Sequence, residues 1–400
     1  MIVMTGDFER MVPLQRALEL IGLMRDRLYR ALGTEAVDTT MSAGRHLAAD
    51  AIARATSPPC DICTMDGYAI ASLDSYPLRI VRAAYAGEAQ ASIKPGEAAY
   101  VTTGAKLPAG AQAVMKAEDA RIEGHLLYGP RIEPGTFVLR QGADFKEGEV
   151  LIPAGTVITP SMVGVLQAAA IPSVRVYRPV SVAVITTGDE IASGDIRDTN
   201  GPMICALLRS WGCIPGLTGA VRDDPDLVRE TIKAAAASHD LVITVGGVSA
   251  GAKDYVRKVA EEGEILFRGV RMKPGMPFTA GYYAGKPLLS LPGKPAGSYA
   301  GMEMFVRRLV HEARDSPTVS MPLSSDVSFG ATGFDYVVFV ELKDGCARPM
   351  GYNGSSLGLF KGTEYMTSLI SAASKSLLSQ GYILARNDLH AGECVDVNLL

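Results

Sequence analysis

Several polar residues stand where apolar runs stop, and their types are those of phosphate and metal chemistry. The run Val180-Ser-Val-Ala-Val-Ile185 ends in Thr186-Thr187-Gly188-Asp189-Glu190, and Asp240-Leu-Val-Ile-Thr-Val245 ends in Gly246-Gly247-Val-Ser249-Ala-Gly251. Glycines in series let several backbone N–H groups converge on an anion with no Cβ in the way. This loop lacks the Lys-Ser/Thr of a P-loop and the spacing of a dinucleotide fingerprint, so a phosphate cradle and a plain tight turn both fit it. Mg²⁺ takes one or two carboxylates plus phosphate oxygens and water. Asp189, Glu190, Asp223 and Asp254 place carboxylates at or just beyond the ends of predicted strands. A capping role suits the same acids, because a helix N-terminus attracts negative charge. Lys273-Pro-Gly-Met-Pro277 and Leu291-Pro292-Gly293-Lys294-Pro295 each hold a lysine in a Pro-Gly turn. Such turns restrain the chain and so restrain the charge.

The elements that would position these groups read as one α/β unit from Val180 to Pro295, its ligand loops at the strand ends as in an open parallel sheet. Asn200 to Trp211 is predicted helical, and Gly219-Ala-Val221 ends a strand. Asp224-Pro225-Asp226 combines a cap residue, proline at the first helical position and an acid in the first turn. Further helices are expected over 252–262 and 296–313. Upstream, helices are expected over 13–32, over 42–53 with Ser42 as cap, and from Pro160 through Ala170. Between them, short apolar runs separated by Gly and Pro every few residues predict a small β module over 58–139. Because 140–176 returns to mixed character, that module reads as an insertion. Residues 319–400, with Tyr336-Val-Val-Phe-Val340 and Tyr382-Ile-Leu384, read as a separate β-rich domain.

Composition narrows the function classes. Four hundred residues imply two to four domains, and a net charge of −4 offers no electrostatic footing for nucleic acid or an anionic membrane. No secretory leader pattern opens the chain, so a cytoplasmic protein is expected. Six cysteines without a framework fit reduced thiols, and the lone Cys60-Asp-Ile-Cys63 has no second pair to complete a zinc site. The early polar clusters are Thr64-Met-Asp66-Gly-Tyr68, Thr102-Thr103-Gly-Ala105 and Arg140-Gln-Gly-Ala-Asp144. Each suits a turn and a ligand contact equally.

In order along the chain stand Met65-Asp-Gly-Tyr-Ala69, Thr103-Gly-Ala105, Thr187-Gly-Asp-Glu190, Arg222-Asp-Asp-Pro225, Gly246-Gly-Val-Ser249 with Asp254-Tyr255, Lys273-Pro-Gly275 and Leu291-Pro-Gly293. As a series they resemble the molybdopterin molybdenumtransferases, the MoeA family that includes the gephyrin E domain. The resemblance implies four domains in an elongated homodimer. These are a segmented N-terminal domain (1–57 and 140–176), an inserted β domain (58–139), a central three-layer α/β molybdopterin-binding domain (177–318) and a C-terminal β-barrel domain (319–400). It implies an enzyme that takes adenylylated molybdopterin and molybdate or tungstate, cleaves the phosphoanhydride with Mg²⁺ and releases AMP and the metal cofactor. A molybdopterin adenylyltransferase is the implied partner that delivers the substrate.

Carried over by motif, Asp66, Thr103, Asp144, Glu190, Asp223, Asp254 and Lys273 are the implied catalytic residues. Thr187, Gly188, Gly246, Gly247, Ser249, Pro292, Gly293, Lys294 and Thr363 are the implied binding residues. Asp189, Glu190, Asp223 and Asp254 are the implied cation ligands. Two departures bear on the oxyanion. Met276 stands where the family pattern has a second lysine, and Lys294 stands where it has asparagine, so Lys294 is expected to restore the missing charge from a neighbouring loop. No arginine accompanies Phe334-Asp-Tyr336 as in the family, and 350–361 reads as an extension. These departures permit a second reading, a non-catalytic molybdopterin-binding or scaffold paralogue.

Overall fold

The computed structural model describes residues 11–73, 75–248, 255–311 and 317–400. The chain divides into two units, Met1–Thr34 with Tyr177–Leu400, and Glu35–Val176.

The larger unit is built on a six-stranded sheet in the order Ile214–Val221, Ser181–Thr187, Leu241–Val245, Lys286–Leu291, Thr279–Tyr283, Glu264–Arg268. The first four strands are parallel. The last two are antiparallel additions that the strand-end motifs did not announce. Ser181–Thr187 and Leu241–Val245 are apolar without alternation because both faces are covered. Val182 and Val184 face a core shared with Leu14, Ile21, Ile204, Leu208 and Phe305. Ala183 and Ile185 face the other layer, with Val228, Ile232, Val242 and Leu288. Each such valine or isoleucine contributes about 1.5–3 kcal/mol by leaving water. The helix Asn200–Ser210 follows the expected pattern, as does Pro225–Ser238, where Asp224 Oδ1 accepts from the N–H groups of Asp226 and Leu227. The last helix of the layer runs from Pro295 to Val310 and includes a π-helical stretch, Met302–Val306.

The C-terminal strands form a second six-stranded sheet in which Asp335–Lys343 pairs with Met272–Lys273, Gly381–Ala385 and Cys346–Pro349. Cys394–Leu399 and Thr318–Pro322 continue it. The strands expected to make a β-barrel form a half-barrel sheet, where a single bridge from Leu323 to Ala347 joins the end of Thr318–Pro322 to Cys346–Pro349.

In the smaller unit a six-stranded sheet runs Ala113–Lys116, Gly67–Ile70, Glu97–Val101, Leu78–Ala84, Leu126–Tyr128, Arg121–Glu123. A separate core gathers Leu47, Ala51, Phe145, Ile152, Ile158 and Leu166, the last from the expected helix, here Pro160–Ala168. The helix expected over 42–53 does not form. Ser42 is buried and its hydroxyl donates to the Thr39 carbonyl, closing a 3₁₀ turn instead of capping a helix. Beyond it Ala51 and Ala53 are buried and Ile52 is exposed, a two-residue period that lets Ala51–Ile52 pair with Val150–Ile152. The many alanines carried a helical propensity that this pairing overrode.

Candidate functional site at the strand ends

The four parallel strands end at Val221, Thr187, Val245 and Leu291, so the loops that start at Arg222, Gly188, Gly246 and Pro292 emerge at one edge of the sheet. That edge is where open α/β sheets bind ligands. Three of the loops touch. Gly246 donates its N–H to the Leu291 carbonyl (3.1 Å), and the Thr187 hydroxyl donates to the Val245 carbonyl (3.3 Å). A methyl group on Gly246 would lie 2.9 Å from the Thr187 carbonyl oxygen, and one on Gly293 would lie 3.7 Å from Gly246 Cα. With φ of +91° at Gly246 and +62° at Gly247, both conformation and space require glycine there. Thr187, Gly188, Gly246, Gly247, Pro292 and Gly293 are thus brought together. Ser249 and Asp254 lie outside the described residues.

The acids are arranged beside these loops. Asp189 Oδ1 accepts the Asp223 N–H at 3.1 Å, which ties the loop after one strand to the loop after its neighbour. The exposed Glu190 folds back over Gly188, where an added Cβ would stand 2.8 Å from its Oε1. Among the described residues no group of three or more acids, histidines or cysteines gathers in a metal-binding arrangement.

Lys273 ends the short strand Met272–Lys273, and its Nζ lies 4.0 Å from the centroid of the Phe334 ring. Burial lowers its pKa below the ordinary lysine range. Its turn lies against the helix that follows the other lysine turn, because a methyl on Gly275 would meet the Gly297 carbonyl oxygen at 3.6 Å. Lys294 is exposed and donates to the Ser368 carbonyl at 3.4 Å. Thr363 is held by its backbone, its carbonyl accepting from the Ser328 N–H and the Tyr352 hydroxyl, both at 2.6 Å. An arginine does accompany Asp335, for Arg386 Nε donates to Asp335 Oδ1 at 2.6 Å. Ladder alternation puts this pair on the face opposite Lys273, which is in register with Tyr336, so Arg386 adds no charge to the lysine's face.

In the smaller unit, Asp66 Oδ1 accepts from both the backbone N–H (2.6 Å) and the hydroxyl (2.9 Å) of Thr103. Those bonds hold the exposed Asp66 carboxyl below the usual carboxylate range. The turn that carries Asp144 is also anchored. Asp144 donates its N–H to the Ser57 carbonyl at 3.1 Å, and Asp61 accepts from the Arg140 guanidinium (2.5 Å) and the Gln141 N–H (2.9 Å). Burial pushes the Cys63 thiol up to about 11, so it is protonated at neutral pH. Asn200, absent from the motif reading, donates Nδ2–H to the Gly293 carbonyl at 2.7 Å. In sequence it reads only as a polar residue at a helix start.

Residues 12–170 match the family described as MoeA N-terminal region (domain I and II), and residues 183–312 match the probable molybdopterin binding domain. A molybdopterin molybdenumtransferase from Nostoc sp. is 34% identical over 303 residues, covering 70% of this chain and 69% of the relative. One from Staphylococcus aureus is 34% identical over 283 residues, covering 66% of this chain and 68% of the relative.

This chain belongs to the molybdopterin molybdenumtransferase family.

The crystal structure of a molybdopterin biosynthesis MoeA protein from Pyrococcus horikoshii aligns with a TM-score of 0.78 at 27% identity, covering 98% of this chain and 100% of that one. Within this molybdenumtransferase family member, Asp66, Thr103 and Asp144 fall in the first matched region. Thr187 to Glu190, Asp223, Gly246, Gly247, Lys273 and Pro292 to Lys294 fall in the second, whereas Thr363 and Arg386 lie beyond both. Among the described residues of the chain no helix is long and apolar enough to cross a membrane.

Proposed function

We propose that the protein inserts molybdate or tungstate into adenylylated molybdopterin, cleaving the phosphoanhydride and releasing AMP. The observation that carries this reading is the meeting of the Thr187-Gly188, Gly246-Gly247 and Pro292-Gly293 loops at the carboxyl ends of parallel strands, in a member of this family. Their backbone N–H groups suit phosphates, which glycine lets approach closely. Lys273, half-buried beside Phe334, presents a cation of weakened hydration to an oxyanion, and Lys294 offers a second positive charge from the loop after Leu291. Mg²⁺ takes one or two carboxylates with its phosphate oxygens, a number that Glu190 and Asp223 meet while Asp189 accepts the Asp223 N–H. These two residues would hold the cation, which when bound draws charge from the anhydride. Glu190 orients the attacking water, and no covalent nucleophile is required. Asp66, positioned by Thr103, and Asp144 are the proposed catalytic acids carried by the smaller unit, with Asp254 as a further acid and Ser249 and Thr363 as polar contacts.

A homodimer, a cytoplasmic location, the four-domain division, and delivery of substrate by an adenylyltransferase complete the proposal. The experiment that tests it is AMP release from adenylylated molybdopterin with Mg²⁺, with and without molybdate or tungstate, against Glu190→Ala. Oxyanion-dependent release that the variant loses supports the reading. Tight pterin binding with no release of AMP by the unaltered protein would refute it in favour of a scaffold.

A further inference from the structure

Asn200 is the first residue of the helix Asn200–Ser210 and is only 8% exposed. The backbone next to it is held. Asp198 Oδ1 accepts the Gly201 N–H at 2.9 Å, and a methyl on Gly201 would stand 2.5 Å from Asp198 Oδ2 and 3.2 Å from Thr186 Cγ2. From this fixed point the side chain reaches the loop of a strand two places away in the sheet. Ser181–Thr187 and Lys286–Leu291 flank Leu241–Val245, and the Asn200 amide joins the helix start near the first of these to the Gly293 carbonyl after the second. Gly246, at the end of the middle strand, is in contact with that same loop through the Leu291 carbonyl and Gly293. The other amide atom, Oδ1, is buried with no hydrogen-bond partner among the described residues. A buried acceptor left unpaired is costly, and an apolar side chain of similar volume would avoid it. The amide is therefore explained by what its donor does for the loop.

We propose that Asn200 is a positioning residue of this site, a clamp that holds the Pro292–Lys294 loop against Gly246 so that the loop's backbone and Lys294 meet the phosphorylated pterin. The inference rests on the proposed function for its ligand. Its mechanical part stands separately.

Two variants test it. Asn200→Asp keeps the shape and loses the donor at neutral pH, and Asn200→Leu keeps bulk without polarity. Asn200→Ser, whose hydroxyl is too short to reach Gly293, replaces either if it does not fold. Hydrogen exchange of the 288–298 segment should quicken about tenfold in each variant, the loss of one bond of about 1.4 kcal/mol, while exchange within 203–210 stays unchanged. KM for adenylylated molybdopterin should rise about tenfold with kcat within twofold, and lowering the pH should restore Asn200→Asp but not Asn200→Leu, because a protonated carboxyl donates again. Unchanged exchange over 288–298 overturns the clamp. Faster exchange with a lower Tm and unchanged KM overturns it as well, leaving a purely structural residue. If the unaltered protein releases no AMP, the proposed function fails and the exchange comparison alone decides the clamp.

Discussion

Asp66 and Thr103, 37 residues apart in sequence, meet through one oxygen, Asp66 Oδ1 accepting both the N–H and the O–H of Thr103. One carboxylate oxygen is thereby committed to holding the turn, and Asp66 is kept ionised. Asp66→Asn retains an oxygen that can accept both bonds but loses the charge. If the charge acts in catalysis, AMP release should fall about a hundredfold, the size of one electrostatic contribution, with the fold and Tm unchanged. Thr103→Val should cost less, because the backbone bond survives. An Asp66→Asn enzyme of full activity would reduce Asp66 to a turn residue.

Lys273 and Lys294 should separate in their effects. Lys273 is half-buried over Phe334 and Lys294 is exposed. Lys273→Met is expected to raise the molybdate concentration needed for half-maximal rate by about tenfold or more, a buried charge interacting more strongly than a solvated one. Lys294→Ala should raise it by about two- to threefold, and salt should mask that smaller effect first. Equal oxyanion dependence in Lys294→Ala and the unaltered protein would show that Lys294 does not replace the charge absent at Met276.

Asp240 lies at the opposite ends of the same strands and has a purely structural part. Burial raises its pKa, but the Arg178 guanidinium (two bonds of 2.6 Å) and Ser181 outweigh burial and hold the carboxyl at about 2. A carboxyl lowered in the folded state contributes stability above its unfolded value, and that contribution is lost as pH falls through about 2. The contribution at neutral pH is about 2 kcal/mol. Asp240→Asn should lower Tm at pH 7, and the difference should shrink below pH 4. A difference that stays constant with pH would count against this ion pair.

Glu303 shows the converse sign. It sits in the π-helical stretch Met302–Val306, where burial raises its pKa to about 6 while Arg307 pulls it down in part. Its ionised form therefore opposes folding above pH 6, and protonation relieves the cost as pH falls. Glu303→Gln should raise stability by about 1–2 kcal/mol at pH 8 and by nothing near pH 4, as read by thermal unfolding at the two pH values. Equal Tm for both proteins at pH 8 would contradict the burial of that charge.

Gly246→Ala should be damaging for a local reason. The added carbon would meet the Thr187 carbonyl at 2.9 Å in a backbone with φ of +91°. A loss of about 1–3 kcal/mol is expected, and AMP release should fall further than the loss of folded protein explains. Full stability in Gly246→Ala would mean that the loop relaxes.

Much of this molecule was legible along the chain. The apolar runs at 180–185 and 240–245 marked buried parallel strands, because a strand covered on both faces needs no alternation. Asp224-Pro225-Asp226 marked a helix start, and the ordered series of motifs marked the family. These signals are local, each carried by neighbouring residues whose spacing matches one backbone period. The 42–53 segment misled for the same reason, since alanines favour a helix until a partner strand, here Val150–Ile152, is present. The antiparallel strands at 264–268 and 279–283 were also invisible, as edge additions are set by what they pair with.

By itself the sequence determined which residue types stand at which strand ends, and so the class of chemistry and the family. Only the tertiary structure decided which of them meet: Asp66 with Thr103, Asp189 with Asp223, Gly246 with Gly293, and Asn200 with the Gly293 carbonyl. It also decided that Arg386 pairs with Asp335 on the face away from Lys273. The physical reason is the same in each case. A hydrogen bond or a charge acts over a few ångströms, and only the folding of distant strands into one sheet sets distances on that scale.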